Sequence, residues 1–181
     1  MYKLWAFVRQ SLIRIYLFFA KLVYKLSGGK RPKTLFCQKA NAEHIGTRGR
    51  VVSSDKYSTT IAKFDADGNM SDEDFVILTG TDLHLDHGME NNEKTVERFV
   101  RHIKDIKPDL IVLTGDIILT DTQQTDAIQF AQMMEKLGIY WTAVFGNHEV
   151  REERGFYKYL LLKDFADYEH CLCKLGPDEL F

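Results

Sequence analysis

Three short apolar runs, each closing on a polar cluster, set the pattern of this chain. Phe75-Val76-Ile77-Leu78 leads into Thr81-Asp82-Leu83-His84, Leu110-Ile111-Val112-Leu113 into Thr114-Gly115-Asp116, and Thr142-Ala143-Val144-Phe145 into Gly146-Asn147-His148-Glu149. Apolar runs of this length bounded by turn formers predict buried strands. Between them the period changes. Val96, Phe99, Val100, Ile103 and Ile106 fall at helical spacing within 92–107, and Pro108 stops the pattern. Ile128, Phe130, Ala131, Met134 and Leu137 do the same within 125–137, ended by Gly138. Strands alternating with helices predict βαβ units, hence an α/β fold with a parallel sheet whose strands share one carboxyl rim.

Upstream, Val51 to Ser54 and Tyr57 to Phe64 carry β-branched and aromatic residues and predict two further strands, followed by a polar turn at Asp65-Ala66-Asp67-Gly68-Asn69. That turn has the look of half a calcium loop, but the Glu needed to close one would fall at Val76, so a hairpin turn is the better reading. The start of the chain has another character. Leu4, Trp5, Val8, Leu12, Ile15, Tyr16, Phe19, Leu22, Val23 and Leu26 line one helical face, and basic residues run from Lys3 to Lys39 with no acid before Glu43. This predicts a basic amphipathic helix over 1–27 that lies on a membrane surface, with Trp5, Phe18 and Phe19 near the acyl boundary. The uncharged run from Ile15 to Ala20 is too short to span a bilayer. Gly28, Gly29 and Pro32 end the helix, a basic linker covers 28–49, and the main domain is expected over 50–181.

Composition adds little to this. A chain of 181 residues, 45% hydrophobic and 28% charged with a net charge of −2, is an ordinary globular domain in size and makeup. The chemistry lies in the three clusters. Asp82, His84, Asp116, Asn147 and His148 would gather on the sheet rim, offering oxygen and imidazole ligands without a thiolate, a set suited to Mn²⁺, Fe or Zn²⁺. Asp82 and His84 can face one ion if they leave the strand in a turn. The two oxygens of Asp116 can bridge two ions, as a two-metal hydrolase requires.

Asp-x-His, Gly-Asp and Gly-Asn-His-Glu, in this order on successive strands, resemble the calcineurin-like metallophosphoesterases over about Phe75 to Glu149. The resemblance implies a metallophosphoesterase-like β-sandwich flanked by helices, and two divalent metal ions (Mn, Fe or Zn). It implies that Asp82 and His84 bind the first metal, that Asp116 bridges, and that Asn147 binds the second. His148 would then act on the substrate's leaving-group oxygen or on transition-state charge rather than as a ligand. The expected activity is hydrolysis of phosphate mono- or diesters.

Two departures refine this. The family pattern continues with a further His and a Gly-His-x-His motif, yet after His148 the only histidine is His170. The expectation is a domain incomplete at its C-terminus, and the alternative function is a non-catalytic, membrane-tethered module of the same fold. Phosphoserine and phosphothreonine phosphatases extend Gly-Asp into Gly-Asp-x-Val-Asp-Arg-Gly. Here Gly115-Asp116-Ile117-Ile118-Leu119-Thr120-Asp121 lacks the Arg, which directs attention to small phosphoesters, phosphodiesters or nucleotides.

Asp86 and His87 lie close enough in sequence to orient His84, although a solvated loop is the simpler reading; His44 and His102 have no partners at ligand spacing. Cys37, Cys171 and Cys173 make an odd count and match no zinc or redox spacing, which favours a reducing compartment and so the cytoplasmic face of a membrane. A phosphoester substrate and a membrane surface are the expected partners. Nothing in the chain predicts a nucleic-acid partner or fixes an oligomeric state.

Overall fold

A computed structural model of the chain describes residues 42–85, 92–118, 123–149 and 165–173. All lie within one compact unit, Thr34–Phe181. The N-terminal helix expected over 1–27, most of the linker, Cys37, Asp86 and His87 lie outside the described residues. Among the described residues no helix is long and apolar enough to cross a membrane.

Among the described residues, five strands and two helices carry the fold. Strands β1 (Gly49–Ser54) and β2 (Thr59–Lys63) form an antiparallel hairpin. Strands β3 (Ile77–Gly80), β4 (Leu110–Thr114) and β5 (Tyr140–Val144) form a parallel sheet in the order β3-β4-β5. Helix α1 (Asn92–Ile106) joins β3 to β4, and α2 (Gln123–Leu137) joins β4 to β5. This is the mixed α/β arrangement predicted. Among the described residues the strands form one three-stranded parallel sheet and one two-stranded antiparallel hairpin.

Side-chain alternation explains which face is covered. The register aligns Leu78 with Ile111 and Trp141, and Gly80 with Leu113 and Ala143, so these residues share one face. Onto that face α1 brings Val96, Phe99, Val100 and Ile103, and α2 brings Phe130, Ala131, Met134 and Leu137, all buried. The Phe99 and Phe130 rings stand 6.4 Å apart, and Phe130 meets the buried Trp141 edge-on at 5.9 Å. Both helices therefore cover the same side, as consecutive crossovers of one hand require. Truncating Phe130 or Trp141 to Ala would cost about 3–5 kcal/mol. Residues of the opposite face alternate toward solvent, with Ile77 54% and Val144 61% exposed. Ile106, counted on the apolar stripe of α1, is also exposed and lies at its fringe.

Element boundaries shift from the apolar runs for identifiable reasons. Strand β3 starts two residues later than its run because Val76 is engaged elsewhere. Its carbonyl accepts from Asp109 N (2.8 Å) and Leu110 N (3.3 Å), and its N–H donates to Asp109 Oδ2 (2.9 Å). Strand β5 starts two residues earlier than its run because Tyr140 and Trp141 already pair with Leu110 and Ile111. Its outer edge is extended in parallel by Cys171, with Trp141 N donating to His170 O and Leu172 N to Trp141 O. Cys171 and Cys173 are both buried, and Ala143 N donates to Cys173 Sγ. A hydrogen bond with Cys173 and burial push the Cys171 thiol up, so it behaves as an inert packing residue.

The polar turn after β2 also has a structural explanation. Asp65 Oδ1 accepts from the N–H groups of Asp67 (3.0 Å) and Asn69 (2.8 Å), closing an Asx turn within the Phe64–Met70 bridge.

Candidate metal centre

The three polar clusters meet just past the carboxyl ends of β3, β4 and β5. Their backbones are stitched together beyond the strands. Asp82 N donates to Gly115 O (3.1 Å), His84 N to Asp116 O (3.0 Å) and Leu85 N to Ile117 O (2.8 Å), and Leu85 pairs in parallel with Ile118. Within this ladder Asp82, His84 and Asp116 adopt left-handed backbone conformations, with φ of 54°, 46° and 50°. Each costs about 1–2 kcal/mol for a residue with a Cβ. Surrounding hydrogen bonds hold the strain in place, and residues held this way cluster at functional sites.

Close backbone approach brings the third cluster in. A Cβ on Gly115 would stand 2.9 Å from Gly146 Cα, and a Cβ on Gly146 would stand 2.2 Å from Asp116 Oδ1. Only glycine at both positions lets the turns after β4 and β5 touch. The contact sets His148 N 2.9 Å from Asp116 Oδ1.

One oxygen of Asp116 is thus anchored, and the other is free to face the histidines. Asp116 Oδ2 lies 3.7 Å from His84 Nε2, and Asp82 Oδ1 lies 3.4 Å from the same nitrogen. His84, Asp116 and His148 each offer a donor atom, all within 4.8 Å of one another, and the two imidazole rings stand 5.1 Å apart. His84 Nε2 is buried without a hydrogen-bond partner although carboxylate oxygens flank it. Buried polar atoms are nearly always satisfied, and a nitrogen left open among carboxylates fits a ligand to a divalent cation.

Placement of the expected residues differs one by one. His84, Asp116 and His148 come together as a group. Asp82 stands beside His84 at the open side of the site, its side chain 58% exposed, with Thr81 donating to its second oxygen. Asn147 sits exposed in the turn one residue before His148. His148, expected on the substrate, stands close enough to be counted among the donors.

Glu149 is the functional residue that the sequence reading passed over. It is 1% exposed, and its carboxylate accepts from Asp116 N (3.0 Å), Gly146 N (2.8 Å) and Ile118 N (2.8 Å). An anion taking three backbone N–H groups fixes both glycine-containing turns at once. The usable signal was its position: an acid directly after a strand-end cluster, with turn amides of the neighbouring strand in need of an acceptor.

An α/β sheet with strained, partly exposed carboxylate and imidazole donors at its carboxyl rim offers a ligand set suited to a divalent cation. Comparison with known proteins gives the family. The model of the calcineurin-like phosphoesterases matches residues 75–177, and the chain belongs to that family. It is also similar to the DNA double-strand break repair protein Mre11 of Methanopyrus kandleri, 30% identical over 87 residues, covering 41% of this chain. The match spans 19% of the length of that relative. No solved structure was found to match the chain.

Proposed function

We propose that the chain hydrolyses phosphate mono- or diesters at a dinuclear centre of divalent ions (Mn, Fe or Zn) held on the β3-β4-β5 rim. The observation that carries this reading is the convergence of His84, Asp116 and His148 within 4.8 Å on backbone turns held in left-handed conformations. Asp82 and His84 would hold one ion, Asp116 both, and Asn147 the other. When bound, such ions neutralise phosphoryl oxygens and acidify water.

The chain's own residues do the rest. Asp116, with one oxygen fixed by His148 N, presents its other oxygen toward His84. His148 donates a proton or a hydrogen bond to the leaving oxygen, a contribution of about 10²–10⁴ in rate. Glu149 holds the turns that carry both residues. The likeness to a DNA double-strand break repair protein supports the diester side of the substrate range. The basic helix over 1–27 would hold the domain on the cytoplasmic face of a membrane.

A second reading is a non-catalytic module of the same fold, in which His170 takes no part in the rim. The last histidine of the chain stands off the rim, with Nδ1 2.8 Å from Glu135 Oε1 and its ring against Tyr140. Hydrolysis of bis-p-nitrophenyl phosphate and p-nitrophenyl phosphate with added Mn²⁺ decides between them. The catalytic reading expects metal-dependent turnover that is lost in Asp116→Asn and falls by about 10²-fold or more in His148→Ala. Metal binding without turnover would count against catalysis by this chain alone and fit a domain that lacks its C-terminal ligands.

A further inference from the structure

The opposite end of the sheet carries a second concavity. A cavity of about 410 Å³ opens beneath the start of β4, lined by Ile45, Gly46, Thr47, Arg48, Lys107 and Pro108. Asp109 completes the lining, and β4 runs from there to the metal rim. Five strand residues separate the two ends, roughly 16 Å at the usual rise, so the cavity is distinct from the rim. Its volume lies within the range of small-molecule sites.

The walls are firmly placed. Ile45 N and Gly46 N both donate at 3.0 Å to Leu137 O, capping the C-terminus of α2, and His44 lies over Gly138, where a Cβ would stand 2.2 Å from the imidazole. Thr47 Oγ1 donates to Asp109 O at 3.3 Å.

The charges inside are unbalanced. The Asp109 carboxylate is already neutralised, with Lys63 Nζ 3.3 Å away and Val76 N donating to it. Arg48 pairs with Glu73, whose carboxyl a hydrogen bond from Arg48 holds below the usual range. That pairing uses one edge of a guanidinium with five donors, and half of the Arg48 side chain stays exposed. Lys107 is exposed and has no ionic partner among the described residues.

Lys107 is also an anomalous choice for its position. It ends α1 with φ of 50°, donating its N–H to Ile103 O at 2.8 Å, in the helix-ending conformation that glycine usually supplies. Pro108 follows it and further restricts its backbone. A lysine kept in a strained conformation at the mouth of a cavity points to a role for its charge.

We propose that this cavity binds a small phosphate-bearing molecule, its phosphate held between Lys107 and Arg48 and its body against Ile45 and Pro108. A guanidinium fork and an ammonium suit a phosphate, and the apolar wall suits an organic group attached to it. The proposal stands apart from the phosphoesterase reading, since it uses none of the rim residues.

Calorimetric titration of the metal-loaded protein with inorganic phosphate and with a nucleoside monophosphate tests it. The expected result is binding in the millimolar range or tighter, weakened about tenfold in Lys107→Gly and in Arg48→Gln, and retained in Asp116→Asn. Lys107→Gly suits the local backbone, so loss of binding there would not reflect unfolding. Tighter binding of the nucleotide would identify an organic phosphate as the occupant, and equal binding would identify free phosphate. Binding lost in Asp116→Asn, or unchanged in both cation variants, or undetectable for both probes, would overturn the proposal.

Discussion

Strand β4 is flanked by two aspartates with opposite fates. Asp109, before the strand, is 3% exposed and engaged through Oδ2, which accepts from Val76 N at 2.9 Å and lies 3.3 Å from Lys63 Nζ, itself 8% exposed. Asp116, after the strand, sits at φ 50° with one oxygen anchored by His148 N and the other beside an imidazole nitrogen that has no hydrogen-bond partner. The first end uses its carboxylate to join β2, β3 and β4. The second keeps binding capacity in reserve at the cost of backbone strain. Two copies of one side chain thus serve stability and chemistry, and the partners supplied by distant segments decide which.

The comparison can be broken most sharply at Asp116. Asp116→Asn is expected to lower metal-dependent phosphoester hydrolysis by about 10³-fold, near 4 kcal/mol of transition-state stabilisation, while leaving the urea midpoint unchanged or raised. A fall in the midpoint as large as that in activity would show that Asp116 is a structural residue like Asp109.

Glu149→Ala should act on both properties. It strands three backbone N–H groups in a buried setting, so a loss of about 3–5 kcal/mol in denaturant unfolding is expected, together with weaker Mn²⁺ binding. Lys63→Met sharpens the contrast from the other end. An uncompensated buried Asp109 should cost about 3 kcal/mol, with Mn²⁺ affinity unchanged within about twofold by titration. The smallest effect has the opposite sign: Lys107→Gly should stabilise the fold by about 1 kcal/mol, read as a raised thermal midpoint, because glycine accepts φ of 50° freely.

What could be read from the sequence divides along physical lines. The three strands and two helices were legible because burial on a sheet and on a helix face each impose a period, as Phe99, Val100 and Ile103 show on α1. The rim was legible because His84, Asp116 and His148 follow strands that must end together in a parallel sheet. Glu149 was not, because its role depends on amides 31 and 33 residues away. The Lys63–Asp109 pair was hidden for the same reason, bridging 46 positions. Strand ends were missed by two residues where a side chain, Asp109, replaced a ladder partner. The parallel extension at Cys171 left no trace in the sequence either, since three residues are too few to show a period.

Glu149 has one more consequence, in time rather than in space. The amides of Asp116, Ile118 and Gly146 belong to two different turns, yet they share a single buried acceptor. None can open to solvent without disturbing the carboxylate that holds the others. Their hydrogen exchange should therefore proceed at one common opening free energy, and the rim should breathe as a unit instead of fraying loop by loop.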